Sequence, residues 1–226
     1  LMAITKKEFF QLFKSVKSII MIVVLLVSSY YFAKYTEQLV PILELEQTSS
    51  WYAGGLLIIL LLFGPLFVMS LSHDVLNREL SERTMRFLVT KTSKANILFG
   101  KFLGVWIFWF VCFTVCYVIT LFYSKSFDGR LFLETVSLLT YLVVITLLLS
   151  IVIKSPQYTM FIGVIFGMAF SIFQMVILES TAWYSYLKYL MPLFYMQDED
   201  FKFLIVFLQA AVMYSMTYFI FKRTDC

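Results

Sequence analysis

Residues 74–101 read DVLNRELSERTMRFLVTKTSKANILFGK, a long charged passage set between apolar runs. Asp74, Arg78, Glu82 and Arg86 recur at steps of four, with Glu79 and Arg83 as a second series beside them. On a helix, residues four apart are surface neighbours, and each pair of opposite charge contributes about 0.2–0.5 kcal/mol. Leu76, Leu80 and Phe87, flanked by Val75 and Leu88, fall towards another side. The pattern predicts an amphipathic helix over 74–92 that seats its apolar face on a membrane and presents fixed charges to a soluble partner. A solvated helix that only joins two spans fits the same pattern.

Composition places that stretch in a membrane protein. Of 226 residues, 61% are hydrophobic and 14% charged, against about 45–50% and 25% in soluble domains. Working outwards, apolar runs predict six spans: 18–35, 52–71, 102–123, 131–153, 158–178 and 203–221. The fold class is all-α, polytopic, in a single transmembrane domain over 1–226. Gly64-Pro65 in the second run predicts a kink, because proline removes a backbone hydrogen bond that neighbours must replace. Gly163 and Gly167 in the fifth have the spacing that lets helices approach closely. Residues 2–17 alternate Ile4, Phe9, Phe10, Phe13 and Val16 with Lys6, Lys7, Lys14 and Lys17. That spacing fits an interfacial helix over anionic lipid, or an ordinary basic flank of the first span. Residues 179–202 are aromatic and half-apolar, broken by Pro192, and too short and polar for another span; they read as an extracellular or re-entrant segment.

Six spans put both termini on one side. That side carries 13 of the 18 basic residues and 5 of the 14 acids. The basic bias assigns the termini, 74–101 and the 154–157 turn to the cytoplasm.

Much chemistry is excluded. One His and three Cys build no His-rich metal site, and Cys112 with Cys116 reads as packing inside a span. The net charge of +4 is no argument for nucleic acid. The P-loop pattern fails at Gly100-Lys101, where Ala95 and Phe102 replace the required Gly and Ser or Thr. No charged residue is expected deep in a span, so an ion-coupled carrier has little to work with. Gln174 and Gln209 are the deepest polar groups, and interhelical hydrogen bonding is their plainest role. The chain has a pathway's worth of helices and no engine of its own.

The interfacial N-terminal helix, the six spans and the loop Arg78-Glu79-Leu80-Ser81-Glu82-Arg83-Thr84-Met85-Arg86-Phe87-Leu88, followed by Ile97-Leu98-Phe99-Gly100-Lys101, together resemble the ABC-2 type permeases of ATP-binding cassette exporters. Ser81 stands where that family often has a second acid, and Glu82-Arg83 precede Thr84 where Gly is common. The resemblance implies a bacterial cell-membrane half-transporter. Two permease chains, identical or paralogous, would pair around a path among membrane lipids. A separate ABC ATPase subunit would bind ATP and Mg, with no cofactor in this chain. It assigns coupling to Glu79, Glu82, Arg83, Thr84 and Arg86. It also turns the fifth span to the path, through Met160, Phe166, Phe170, Phe173 and Gln174; lipid or helix packing is the stronger explanation of such Met and Phe residues. With 25 Phe, 14 Tyr and no buried charge expected, the cargo reads as apolar or amphipathic, such as a membrane-active peptide. The competing class is a non-transport interaction protein, an immunity or assembly factor.

Overall fold

A chain crossing lipid must satisfy its backbone internally, and helices do so within one segment. The computed structural model describes residues 1–42, 49–153, 155–179, 183–197 and 201–224. Among them are helices α1 (Met2–Lys14), α2 (Val16–Ile42), α3 (Ser49–Ser72), α4 (Asn77–Ser81), α5 (Met85–Lys91), α6 (Lys94–Ser124), α7 (Gly129–Val152), α8 (Pro156–Glu179), α9 (Pro192–Tyr195) and α10 (Leu204–Arg223). Two 3-10 helices, Trp183–Leu190 and Phe201–Phe203, flank α9. Six helices are long and apolar enough to cross a membrane. Those of 24 residues, α3, α7 and α8, rise about 36 Å, sufficient for a hydrocarbon core of about 30 Å.

The six observed helices match the six apolar runs, and α2, α3, α6 and α8 reach past theirs at both ends. The largest extension is at α6. Ser93 caps it by accepting from the Asn96 amide at 3.3 Å, so residues 94–101 belong to the third spanning helix and not to a loop. Parts of the expected 36–52, 154–157 and 179–202 connections lie outside the described residues.

Burial separates centre from rim. The spans of α3 and α7 are 61% and 72% buried, those of α2 and α10 22% each. α3 and α7 therefore form the centre, and α3 packs against α2, α6, α7 and α8. Its contact with α8 rests on Gly167, where an added Cβ would lie 2.9 Å from the Leu66 amide nitrogen. Pro65 sits in that contact. It has no N–H for the Leu61 carbonyl one turn back. The Ser171 hydroxyl of α8 supplies a donor there, 3.1 Å from the Leu61 oxygen and 2.8 Å from that of Leu62.

The segment before α10 is held by side chains of three spans. Tyr141 Oη of α7 donates to the Leu190 carbonyl at 3.3 Å. Gln174 Oε1 of α8 accepts from the Leu193 amide at 3.4 Å. Gln209 Nε2 of α10 donates to the Tyr189 carbonyl at 2.7 Å. Among the described residues, the two glutamines thus serve this segment's irregular backbone and do not join one spanning helix to another.

Ser171→Ala is expected to cost about 1 kcal/mol, read as a lower melting temperature in detergent. Adding Pro65→Ala returns an amide to the Leu61 carbonyl and should recover most of the loss. A double variant that melts no higher than Ser171→Ala would separate the hydroxyl from the proline.

Candidate functional site

Long lysine side chains usually carry their charge out to water. Lys101, near the start of α6, is fully buried instead. Its Nζ donates to Glu8 Oε1 at 2.8 Å and to the Val75 carbonyl at 2.6 Å, and lies 2.9 Å from Glu79 Oε2. The other Glu79 oxygen accepts from Lys7 Nζ at 2.9 Å. Arg78 extends the network, from Nη1 to Asp74 Oδ2 at 3.1 Å and from Nη2 to Gln11 Oε1 at 3.0 Å, with Glu8 Oε2 3.9 Å away. Lys7, Arg78 and Lys101 thereby balance Glu8, Asp74 and Glu79. Balance is a condition of burial, because an unpaired interior charge costs several kcal/mol.

Local sequence brings these groups together. Gly100 and Gly104 form a bare face one turn apart on α6, and α1 lies against it. A Cβ on Gly104 would meet the Glu8 Cβ at 2.7 Å, and one on Gly100 would meet the Ile4 Cβ at 3.1 Å. On α4 Glu79 turns inward and is buried. The start of α4 is fastened to the turn between α7 and α8. Ser150 Oγ accepts from the amides of Leu76 and Asn77 at 3.0 and 3.2 Å. Asn77 Nδ2 donates to the Ile153 carbonyl at 3.0 Å and to the Thr159 hydroxyl. Residues 74–80 are therefore wired to α1, α6 and the α7–α8 turn, while residues 81–84, Arg86 and Phe87 face outward.

Residues 2–226 match the family described as ABC-2 family transporter protein. The chain belongs to that family. It is the transmembrane subunit of an ABC transporter, and membership implies an ABC ATPase as partner. This favours the transporter over a non-transport interaction protein. Comparison with curated proteins finds no match.

The ABC-2 chain departs from the sequence expectation over 74–92. That stretch is not one helix but two short ones, α4 and α5, broken at 82–84, where Arg83 takes a left-handed φ of 58°. The charge ladders shrink to the Asp74–Arg78 pair among the described residues. Glu79 is drawn to Lys101 and Lys7, and the break carries Arg83 and Arg86 off the line of the helix. Of the five residues assigned to coupling, Glu79 is in the buried network; Glu82, Arg83, Thr84 and Arg86 form an exposed rim beside it.

The assigned path residues do not form one lining. Phe166, Phe170 and Phe173 of the permease line an open apolar groove of about 720 Å³ with Tyr141, Leu190 and Met213. Phe170 stacks on Phe166 and Tyr141, with ring centroids 5.6 and 6.2 Å away. Met160 is exposed, on the opposite half of α8, and does not line the groove. Gln174 is buried on the Leu193 amide.

Sequence reasoning missed Lys7, Glu8, Asn77 and Lys101. Two signals were present. Glu8 is the lone acid among the four lysines of 2–17, and Gly100-x-x-x-Gly104 repeats the close-approach spacing noted at Gly163 and Gly167. Lys101→Met would leave Glu8 and Glu79 facing each other with their shared cation gone. The expected loss is about 3–5 kcal/mol, measured as melting temperature in detergent, and Glu8→Gln in the same chain should recover part of it. An unchanged melting temperature for Lys101→Met would mean that the carboxylates do not depend on it.

Proposed function

We propose that this permease is an exporter subunit in a bacterial cell membrane, with both termini, α4 and α5 in the cytoplasm. It pairs with a second permease chain, identical or paralogous. An ABC ATPase that binds ATP and Mg docks on the exposed rim of Glu82, Arg83, Thr84 and Arg86, with Phe87 as its apolar contact. Closure of the ATPase pushes the rim, and the Lys101-centred network passes the push to α1, α3 and α6 as a rigid-body movement.

One observation carries this reading. The rim stands directly on a buried, charge-balanced cluster that joins four parts of the bundle. A loop that only connected two spans would have no reason to bury a lysine. The basic bias supports the orientation. The groove beside Phe166, Phe170 and Phe173 supports an apolar or amphipathic cargo, for which we take a membrane-active peptide as the leading candidate, moved from the cytoplasm or inner leaflet.

Two outcomes test the proposal. Arg83→Glu with Arg86→Glu should abolish co-purification of the ATPase and leave the melting temperature of the chain unchanged, because neither side chain is packed. Retained ATPase binding would remove the rim from the docking surface. In proteoliposomes, an amphipathic peptide should stimulate ATP hydrolysis. Ala169 also lines the groove, so Ala169→Trp, which fills it, should reduce that stimulation several-fold. Stimulation by small hydrophilic ions alone would refute the apolar cargo.

A further inference from the structure

Beside the charge network lies a polar cavity of about 200 Å³ between α1, the start of α2 and the end of α3. One water occupies about 30 Å³ of liquid, so the space admits a group larger than water. Gln11, Ser15, Lys17, Ser18 and Arg78 are among its lining residues.

The helix break at Ser15 gives this cavity a helix N-terminus. Ser15 is extended, with ψ 127°, and the first backbone bond into α2 runs from the Ile19 amide to the Ser15 carbonyl at 3.1 Å. The amides of Val16, Lys17 and Ser18 precede that ladder. At the head of a 27-residue helix, such amides and the helix dipole favour an anion. Ser18 is an independent pointer. It is fully buried, it lines the cavity, and its hydroxyl has no hydrogen-bond partner among the described residues. A buried hydroxyl without an acceptor is costly.

The local charge agrees. Glu8 and Asp74 also line the cavity, but Glu8 is neutralised by Lys101 at 2.8 Å and Asp74 by Arg78 at 3.1 Å. Lys17 has no ion pair among the described residues, so the uncompensated charge is positive. Immediately beyond it, Ile19, Ile20, Val23 and Val24 form an exposed apolar face on α2.

We propose that this cavity binds a phosphate group, supplied by the headgroup of a phospholipid whose acyl chains lie along that face of α2. The Ser18 hydroxyl and the first amides of α2 donate to the phosphate oxygens, and Lys17 closes over it. Free inorganic phosphate shares this chemistry and is the other source.

The test uses the full chain in detergent and counts retained lipid by native mass spectrometry. Phosphatidylglycerol and diacylglycerol of the same acyl composition are compared, with inorganic phosphate in a parallel arm read by melting temperature. Retention of phosphatidylglycerol over diacylglycerol, falling about tenfold in Lys17→Gln and in Ser18→Ala, supports the headgroup. Stabilisation by inorganic phosphate without lipid retention, lost in the same variants, supports the site and assigns it to the free ion. Lys17 is exposed, so its variant tests binding without endangering the fold. Equal retention of both lipids, or binding unchanged in both variants, overturns the proposal, as does an absence of any response to lipid and phosphate.

Discussion

An ammonium group held between two carboxylates, away from water, fixes the inner architecture of this permease. Lys101 joins residues that are far apart in the chain: Glu8 is 93 positions away and the Val75 carbonyl 26. A well-packed apolar trio of similar volume would stabilise the fold as well or better. The value of the cluster is positional. Charges of opposite sign meeting at one buried point admit few other arrangements, because any displacement leaves a charge unpaired in a medium that cannot screen it.

The surrounding elements fit that constraint at successive distances. The bare face of Gly100 and Gly104 lets α1 approach closely enough for Glu8 to reach Lys101. Ser150, Ile153 and Thr159 hold the start of α4 against the far side of the bundle. At the centre, the Ser171 hydroxyl holds α8 to α3 beside Pro65. The exposed rim of residues 81–84, Arg86 and Phe87 is thus rigid by anchorage. Its own backbone is broken at Arg83, and its firmness comes from what lies beneath it.

The spans were legible in the sequence because apolar length needs no tertiary information. The Leu61 carbonyl's need for a second donor was legible too, since Pro65 takes away its backbone partner. The coupling stretch was only half legible. A four-residue charge period is read as a surface ladder by default, and that reading assigns Glu79 and Glu82 the same kind of role. Only the burial of Lys101 separates them, and Lys101 looks in sequence like an ordinary basic residue flanking a span. Arg83 gave no warning of a left-handed turn, since such turns favour glycine. On α8, Phe166, Phe170 and Phe173 share a groove as their spacing allows. Gln174 was lost to that surface because the backbone at Leu193 needed an acceptor, a demand made by a segment 19 residues away.

The three tethers on that segment bear on biogenesis. Tyr141, Gln174 and Gln209 reach it from α7, α8 and α10, and α10 follows the segment in the chain. The Tyr189 carbonyl accepts from Tyr195 Oη within the segment at 2.9 Å, but its donor from a spanning helix, Gln209 Nε2, is supplied only once the sixth span has been made. The aromatic stretch at 183–195 is then the last part to consolidate. Until that helix is made, the tethers to the earlier spans are those of Tyr141 and Gln174.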